Sequence, residues 1–411
     1  MTFFEELQWR GLVKDMAGDD IADKINNDRI TFYWGTDPTA DSLHLGHYSS
    51  LVTAKRFAKY GHHPILLCGG ATGLIGDPRP TAEREIISKE QLNKNLEGIK
   101  KQVLDIFEGK AEVVNNYDWF KGYEFTDVLR DVGKYITVNY MLDKDIIKRR
   151  LETGITFAEF SYMLIQGYDF LWLYENKNCI MQVEGSDQWG NITTGIDLIK
   201  KKLGKDAYAF TMPLVLDKYG HKFGKSEGNA LWLDEEKTSS YELYQYLINV
   251  DDEMVIDYLK IFTFLSVEEI MELEKKNKEH PEEREAHKAL AREIICDLHG
   301  EESYQEAVKI SESLFSGDIK SFSAKDCEVA FKGIDPFILK EDMNIVDLLV
   351  FGGICSSKRE AREFVSNSSI SVNGEKVTDL DFILTKKDCI ESKYVVIRRG
   401  KKKYYIGQYE D

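Results

Sequence analysis

Residues 33–47 have the sequence Tyr33-Trp34-Gly35-Thr36-Asp37-Pro38-Thr39-Ala40-Asp41-Ser42-Leu43-His44-Leu45-Gly46-His47. It overlaps an apolar run at residues 30–35, which is typical of a buried strand and ends at a glycine. A helical pattern then covers residues 44–60 and stops before Gly61, where a glycine commonly follows the last helical turn. The stretch is therefore predicted to form a strand, a loop and the start of a helix.

The same alternation of strands and helices continues outward from this unit. The further predicted elements are a strand at 63–68, a helix at 88–107 opened by a capping box of Ser88 and Gln91, a helix at 157–174, a strand at 179–183, a helix at 187–203 and a strand at 212–216. Strands that alternate with helices form a parallel sheet covered by helices. We predict an α/β fold with a Rossmann-like, parallel-sheet catalytic domain over residues 1–235.

The rest of the chain has a different pattern. Residues 236–317 are helical and rich in Glu and Lys, which predicts an α-helical domain. Residues 318–339 contain no long periodic segment and are predicted to be a linker. Residues 340–411 are predicted to form a small α+β domain, with a helix near 358–365 and a hairpin that turns at Asn373-Gly374.

The composition is that of a globular protein, since 43% of the 411 residues are hydrophobic and 30% are charged. The first residues mix acids and an arginine with apolar side chains, unlike a secretory signal, and no run approaches the roughly 18 apolar residues of a membrane span. The six cysteines include no CxxC pair, so neither disulfides nor a protein-bound metal site is predicted. We expect a soluble, cytoplasmic protein with no membrane contact.

The formal net charge of −17 is unfavourable for binding nucleic acid, because phosphates attract Lys and Arg. The charge is unevenly distributed, however. Residues 340–411 contain 13 Lys and Arg against 12 Asp and Glu. A basic run in this segment comprises Arg398, Arg399, Lys401, Lys402 and Lys403. The acidity therefore lies outside the C-terminal segment.

A histidine pair opens the first predicted helix. His44 and His47 share one face of its first turn, because residues i and i+3 are neighbours on a helix. The free backbone N–H groups and the positive dipole end of that turn favour a phosphate. The pair is a candidate nucleotide site, and it is also compatible with an ordinary polar surface.

A lysine pair lies in a loop after the predicted strand at 212–216. Lys222 and Lys225 flank Gly224, and such a loop can fold over a triphosphate and stabilise the charge that builds on departing pyrophosphate. Taken alone, a short stretch of this kind is more often a solvated loop. The presence of both pairs in one chain favours the nucleotide interpretation.

Three polar residues form a stripe on the predicted helix at 157–174. Tyr162, Gln166 and Asp169 stand at i, i+4 and i+7, and their neighbours on the helix are apolar. Buried polar groups need hydrogen-bond partners. A polar small molecule would supply these partners, and an internal hydrogen-bond network would supply them equally well.

Two loops that contain glycine follow predicted strands. Residues 69–78 include Asp77, and residues 185–191 include Asp187 and Gln188. Ligands of open α/β sheets bind beyond the carboxyl ends of the strands. These side chains are therefore placed to bind an ammonium group or ribose hydroxyls, although both loops are also compatible with simple turns.

Together these features resemble the class I tyrosyl-tRNA synthetases of bacteria over essentially the whole chain. The opening stretch and the lysine pair resemble the two signatures of that family, and the segments YDW (117–119), RDVGK (130–134) and RRGKKKYY (398–405) extend the likeness. The resemblance implies an enzyme that activates L-tyrosine with ATP and transfers it to the 3′ end of tRNA(Tyr). ATP would be a substrate, Mg²⁺ would accompany it, and no protein-bound metal is implied.

The resemblance also implies roles for individual residues. Tyr33 and Asp169 would hydrogen-bond the phenol hydroxyl of the substrate. The rest of the tyrosine would be bound by Asp77, Tyr162, Gln166 and Gln188. The nucleotide would be bound by Gly35, Asp37, Gln182 and Asp187. The transition state would be stabilised by Thr39, His44, His47, Lys222 and Lys225. Homodimerisation through an insertion at about 120–151, anticodon contacts by the helical domain and RNA binding by the C-terminal domain are implied as well.

Two residues depart from the family pattern, both near the expected ribose. Trp34 stands where a small residue is expected, and Glu184 stands where a glycine is expected before Gly185. The detailed ribose contacts of this chain are therefore expected to differ from the family pattern.

Three other functions share part of the pattern. A tryptophan-specific relative would have the same fold and motifs, but Tyr33 and Asp169 favour a phenol over an indole. A nucleotidylyltransferase would share the histidine pair without needing two RNA-contacting domains. A non-catalytic RNA-binding paralogue would not need the intact histidine and lysine pairs.

Overall fold

The computed structural model describes residues 1–78, 87–226, 229–400 and 403–410, without the side chains of residues 225 and 226. Contacts between Cα atoms divide the chain into a first unit, Met1–Thr238 with Ile248–Leu298, and a second unit, Ser239–Leu247 with His299–Asp411. The helices at 236–317 are thus shared between two units, which differs from the single helical domain expected there. Within the described ranges, no helix has the length and apolarity needed to cross a membrane.

Among the described residues, fifteen α-helices lie before residue 317. They are α1 (Phe3–Trp9), α2 (Ile21–Asn27), α3 (Leu45–Lys59), α4 (Lys89–Ile106), α5 (Tyr117–Phe120), α6 (Phe125–Asp131), α7 (Val138–Leu142), α8 (Asp145–Leu151), α9 (Phe157–Lys177), α10 (Trp189–Leu203), α11 (Ser240–Ile248), α12 (Val255–Phe262), α13 (Val267–Glu279), α14 (Glu285–His299) and α15 (Glu301–Ser316).

A six-stranded sheet forms the centre of the first unit. Its strands are β1 (Asp15–Ala17), β2 (Thr31–Thr36), β3 (His63–Cys68), β4 (Glu112–Asn115), β5 (Cys179–Gly185) and β6 (Tyr208–Met212). Their order is β1-β6-β5-β2-β3-β4, and only β1 is antiparallel to its neighbour. The chain runs outward from β2 to β4 and then returns to β5 on the other side of β2. The boundary between β2 and β5 is therefore the switch point at which such sheets open a ligand crevice.

Most predicted elements of this unit are confirmed, with two corrections. The strand predicted at 212–216 is wrong, because β6 ends at Met212. Pro213 follows and has no N–H to donate to a strand ladder. The capping box predicted at α4 is only half formed: Ser88 Oγ accepts from Gln91 N–H at 3.1 Å, but the Gln91 side chain donates to Asn95 Oδ1 at 2.7 Å.

The short pair β7 (Lys225–Ser226) and β8 (Asn229–Ala230) lies in the lysine loop. The second unit contains α16 (Ala324–Ala330), β9 (Phe337–Leu339), β10 (Met343–Asn344), α17 (Ile345–Phe351), α18 (Lys358–Ser366), β11 (Ile370–Val372), β12 (Glu375–Lys376), β13 (Ile383–Leu384), β14 (Tyr394–Arg399) and β15 (Lys403–Tyr409). Five of these strands form a sheet in the order β12-β11-β14-β15-β9. The predicted hairpin is confirmed, since Asn373 and Gly374 link β11 to β12 with φ angles of 47° and 86°.

The segment predicted to be a loose linker is instead packed into a core. Ile319, Phe322, Cys327 and Phe331 are buried in one cluster with residues of β14 and β15. The seven-residue helix α16 is too short to show a clear period in the sequence. The segment is therefore part of the second unit's fold.

Candidate active site

The strands β2 and β5 separate at the switch point. Their ladder ends at the pair Tyr33 and Gln182, whereas β2 stays paired with β3, and β5 with β6, up to the ends of the strands. A crevice therefore opens beyond Tyr33. The Glu184 carboxylate bridges it by accepting a hydrogen bond from Gly35 N–H.

Buried polar atoms without partners lie along this crevice. Among the described residues, Tyr33 Oη, both side-chain amide atoms of Gln182 and Gln166 Oε1 make no hydrogen bond of normal geometry. The Gln182 amide is near enough to the Tyr33 hydroxyl group to lower its pKa, against the larger effect of burial. Tyr33 and Gln182 are each only 1% exposed, and Gln166 lies on α9, one turn before Phe170, whose ring contacts Tyr33. Buried polar groups are nearly always paired in folded proteins. The arrangement is that of a polar cavity completed by a ligand.

Asp169 is the ionisable group at the Tyr33 end of the crevice. It is 1% exposed, and its two carboxylate oxygens accept hydrogen bonds from Asn116 Nδ2 at 3.1 Å and Trp119 Nε1 at 2.8 Å. Burial raises the pKa of Asp169 to about 8, and these two hydrogen bonds oppose the rise. Burial, with the nearby charge of Asp169, also holds the pKa of the Tyr33 phenol well above its ordinary value.

Asn116 is a site residue that the sequence analysis missed. It is fully buried, and it joins two parts of the site: its Oδ1 accepts from Ala71 N–H at 2.7 Å, and its Nδ2 donates to Thr72 Oγ1 at 3.0 Å as well as to Asp169. Asn116 directly follows β4, so the rule that ligands bind beyond the carboxyl ends of strands would have found it. β4 itself was not recognised, because it has only four residues and begins with Glu112.

Four of the predicted binding residues meet near the mouth of the crevice. Tyr162 Oη donates to Asp37 Oδ2 at 2.9 Å, and Asp77 accepts from Gln188 Nε2 at 3.0 Å and from Asn191 Nδ2 at 3.1 Å. The pKa of Tyr162 is raised first by burial and then by the charges of Asp37 and Asp77. The structure thus brings Tyr162, Asp37, Asp77 and Gln188 together.

The histidine pair forms the amino-terminal cap of α3. His44 Nδ1 accepts from Gly46 N–H at 3.1 Å, and His47 Nδ1 accepts from His44 N–H at 3.3 Å. The two rings stack with their centroids 3.8 Å apart. Because each Nδ1 is an acceptor, each neutral ring carries its hydrogen on Nε2. The hydrogen-bond donor of each ring is therefore on its Nε2 side.

The lysine loop touches this cap. Gly224, at φ 85°, lies so close to α3 that an added Cβ would be 2.8 Å from Leu45 Cβ. The neighbouring Phe223 is 3% exposed, and its ring packs 4.4 Å from that of Tyr258. The loop is thus anchored at Phe223. Lys222 is exposed, and the side chain of Lys225 lies outside the described residues.

The remaining predicted residues differ in position. Thr39 and Asp187 are exposed, in the loops that follow β2 and β5. Trp34 is 2% exposed and alternates to the face of β2 opposite Tyr33, where its Nε1 donates to Ser50 Oγ on α3 at 3.0 Å. The Trp34 side chain therefore supports the helix that carries the histidine pair.

Comparisons with known proteins identify the family to which this chain is similar. The family model described as "tRNA synthetases class I (W and Y)" matches residues 25–316, and that described as "Tyrosine--tRNA ligase SYY-like C-terminal domain" matches residues 326–406. Curated tyrosine–tRNA ligases of Streptococcus gordonii and Streptococcus suis are 48% and 49% identical to this chain, over the whole length of both proteins.

Solved structures have the same fold. A C-terminally truncated mitochondrial tyrosyl-tRNA synthetase of Aspergillus nidulans is 32% identical with a TM-score of 0.69, and the match covers 76% of this chain and 94% of that one. A tyrosyl-tRNA synthetase of Archaeoglobus fulgidus, solved with L-tyrosine, shares the fold at 16% identity and a TM-score of 0.55, covering 75% of this chain and all of that one.

Proposed function

We infer that this chain, which belongs to the class I tRNA synthetases for tryptophan and tyrosine, is a tyrosine–tRNA ligase. It activates L-tyrosine with ATP, forming tyrosyl-adenylate and pyrophosphate, and then transfers the tyrosyl group to the 3′ end of tRNA(Tyr). Full-length identity to curated tyrosine–tRNA ligases disfavours the tryptophan-specific, nucleotidylyltransferase and non-catalytic alternatives.

The observation that carries the site assignment is the unpaired Tyr33 Oη beside the buried Asp169 carboxyl group. A bound phenol hydroxyl can donate to Asp169 and accept from Tyr33, so both groups gain a partner. Asn116 and Trp119 each donate to one Asp169 oxygen and hold the carboxyl group in place. The hydroxyl end of tyrosine therefore belongs at the inner end of the crevice.

The same two groups favour tyrosine over its closest rivals. Phenylalanine has no hydroxyl, so Tyr33 Oη would remain buried without a partner, at a cost that strongly disfavours binding. The indole N–H of tryptophan can donate to Asp169 but cannot accept from Tyr33. Only a phenol satisfies both.

The ammonium end of tyrosine is assigned to the outer part of the crevice. Gln166 Oε1, which has no partner among the described residues, can accept from an ammonium group. Tyr162 and Asp77 lie near it on the side of the mouth, and Gln188 orients Asp77. Gln182 was expected to bind the nucleotide, but its register with Tyr33 favours a contact with tyrosine.

Adenylate formation requires the tyrosine carboxylate to attack the α-phosphate of ATP. The carboxylate is already ionised, so no general base is needed, and the protein contributes positioning and charge stabilisation. We place the phosphates at the start of α3, where the rings of His44 and His47 stack on the first turn and the helix end is positive. Further groups assigned to the nucleotide and the transition state are Gly35, Asp37, Thr39, Asp187, Lys222 and Lys225.

The proposal also includes Mg²⁺ as the ion that accompanies ATP, and the cytoplasm as the location of the enzyme. Mg²⁺ is proposed to accompany ATP on its phosphate oxygens, which this cation prefers, and would offset their negative charge. The enzyme is placed in the cytoplasm because charged tRNA is consumed there by protein synthesis. Omitting Mg²⁺ should abolish ATP-dependent activation, and persistent activity in a chelator would contradict its role.

The tRNA is proposed to contact the helical region at 236–317 and the C-terminal domain at 340–411. The latter segment is close to neutral and carries the basic run, of which Lys401 and Lys402 lie outside the described residues. Counterion release by these cations would make tRNA binding weaken as salt rises. Binding that did not depend on salt would argue against this assignment.

The insertion at 120–151 is proposed to form a homodimer interface. It exposes several large apolar side chains, Phe125 (63%), Leu129 (48%), Val138 (60%) and Leu151 (51%). Exposed apolar groups concentrated in one segment are typical of protein interfaces. Sedimentation should give a dimer for the wild type and a monomer for Phe125→Asp combined with Val138→Asp. Phe315→Asp, which changes a Phe that is 93% exposed elsewhere, serves as control.

The pocket is tested by removing single groups from it. Tyr33→Phe deletes one oxygen and should lower kcat/KM for tyrosine in ATP–pyrophosphate exchange about tenfold or more. Asp169→Ala should lower it further. Tyr174→Phe is the matched control and should behave as wild type. Tyr174 lies on α9, and its Oη donates to Asp206 O in an exposed hydrogen bond away from the pocket. Unchanged efficiency and unchanged preference over phenylalanine in Tyr33→Phe and Asp169→Ala would refute the assignment.

A further inference from the structure

Glu184 occupies a position that the tyrosine pocket does not explain. It stands two residues after Gln182 on β5, so both side chains lie on the same face of the sheet, with Glu184 nearer the carboxyl end. The β2–β5 ladder has already ended at Tyr33 and Gln182, and the Glu184 carboxylate replaces the missing ladder contact by accepting from Gly35 N–H. The side chain therefore lies across the opening of the crevice.

One carboxylate oxygen of Glu184 remains available. Oε1 accepts from Gly35 N–H, and Oε2 makes no hydrogen bond with the described residues. Glu184 is nevertheless only 6% exposed. A ligand hydroxyl group could therefore donate to Oε2 at a largely buried position, where a hydrogen bond contributes to binding.

The charges around Glu184 indicate which part of a nucleotide can approach it. Asp37 and Asp187 act on it electrostatically and, after burial, raise its pKa well above the ordinary value. The charges of Asp37 and Asp187 disfavour a phosphate beside Glu184 and favour a neutral hydrogen-bonding group. Ribose is neutral, and its 5′ carbon is bonded through oxygen to the α-phosphate, so it must lie close to the tyrosine carboxylate that attacks this phosphate.

We propose that Glu184 is a specificity-determining residue that binds the ribose of ATP, with Oε2 hydrogen-bonded to the 2′- or 3′-hydroxyl group while Oε1 keeps Gly35 N–H. This inference rests on the proposed tyrosine activation. Glu184 would bind the ribose hydroxyl group at the switch point of the sheet. In other nucleotide-binding sheets, an acidic side chain also hydrogen-bonds a ribose hydroxyl group. Trp34, on the opposite face of β2, takes no part in this contact.

The experiment compares ATP with 2′-deoxy-ATP and 3′-deoxy-ATP in tyrosine-dependent pyrophosphate exchange. The wild type should use the analogue that lacks the bound hydroxyl about tenfold to a hundredfold less efficiently than ATP, in kcat/KM. Glu184→Ala should reduce this ratio at least fivefold, by losing activity with ATP and much less with that analogue. Glu184→Gln keeps the shape and an acceptor for Gly35 N–H, and should reduce the ratio less than Glu184→Ala, because its amide group can still hydrogen-bond a hydroxyl group.

Glu112→Ala, at the start of β4 and so at the opposite end of the sheet, is the control and should keep the wild-type ratio. Unchanged ratios for both analogues in Glu184→Ala and Glu184→Gln would overturn the inference, while tyrosine activation itself stood. Equal losses with ATP and both analogues would also overturn it. Absence of tyrosine-dependent exchange in the wild type would instead contradict the proposed function, and the inference with it.

Discussion

Binding of tyrosine should release a proton from Asp169. Burial raises the pKa of this carboxyl group to about 8 in the empty pocket. At pH 7 about nine-tenths of the molecules then carry the proton, and at pH 8 about half do. A substrate hydroxyl that donates to the carboxylate favours its charged form and lowers its pKa. Binding should therefore release close to one proton at pH 7 and about half a proton at pH 8.

Calorimetry can count these protons. Tyrosine is titrated into the protein without ATP in phosphate and in Tris, whose ionisation enthalpies differ, and the dependence of the binding enthalpy on the buffer gives the number released. Tyr33→Phe keeps the Asp169 carboxyl group, so it should bind more weakly but still release a proton. Asp169→Asn cannot ionise, and its binding enthalpy should not depend on the buffer.

Two results would refute this reasoning. If the enthalpy of tyrosine binding to the wild type did not depend on the buffer at pH 7, Asp169 would keep the same protonation state before and after binding. Asp169 would then not lose a proton in order to accept the substrate hydroxyl group. Equal proton release by wild type and Asp169→Asn would mean that the proton comes from another group.

The remaining predictions concern the transition state, the modular division and stability. His47→Ala and Lys225→Ala should each lower the rate constant of adenylate formation about a hundredfold, while the affinities for tyrosine and ATP stay nearly unchanged. Rapid-mixing kinetics can measure both quantities. A loss of affinity at an unchanged rate constant would show that these residues only bind the substrates. A chain ending at Ser316, where the catalytic family match ends, should form adenylate but aminoacylate tRNA poorly; a folded truncation that forms no adenylate would contradict the division. The folded-state pKa of Asp169 is raised to about 8, so the stability of the fold falls as the pH rises towards and through that value. Asp169→Asn should therefore raise the melting temperature more at pH 9 than at pH 5. An equal change at both pH values would show that the pKa of Asp169 is not shifted.

Local patterns were sufficient to predict most of the catalytic fold. The run before Gly35 and the helix capped by His44 have strong periods and clear end signals, and both are found where expected. Errors occurred where the local signal was short or ambiguous. The apolar residues on either side of Pro213 suggested one strand, but the proline divides them, and α16 has too few residues to show a period.

The candidate site was predictable only in part. Local patterns indicated Asp169 and the histidine and lysine pairs, because each belongs to a short motif, and the resemblance added Tyr33 and the expected roles. Asn116 was missed because its importance depends on contacts with Thr72 and Asp169, which are distant in the chain. The separation of β2 from β5 likewise depends on how each of these strands pairs with its other neighbour. No single segment of the sequence therefore reveals that Glu184 bridges the gap between the two strands.

Tyrosine activation by this protein can be measured as ATP–pyrophosphate exchange with tyrosine, phenylalanine or tryptophan as the only amino acid. Exchange should depend on tyrosine and exceed that with the other two by orders of magnitude, since a site built around a substrate hydroxyl rejects analogues that lack it, as the tyrosine synthetases themselves illustrate. Exchange as fast with phenylalanine or tryptophan as with tyrosine, or none with any of the three, would contradict the account.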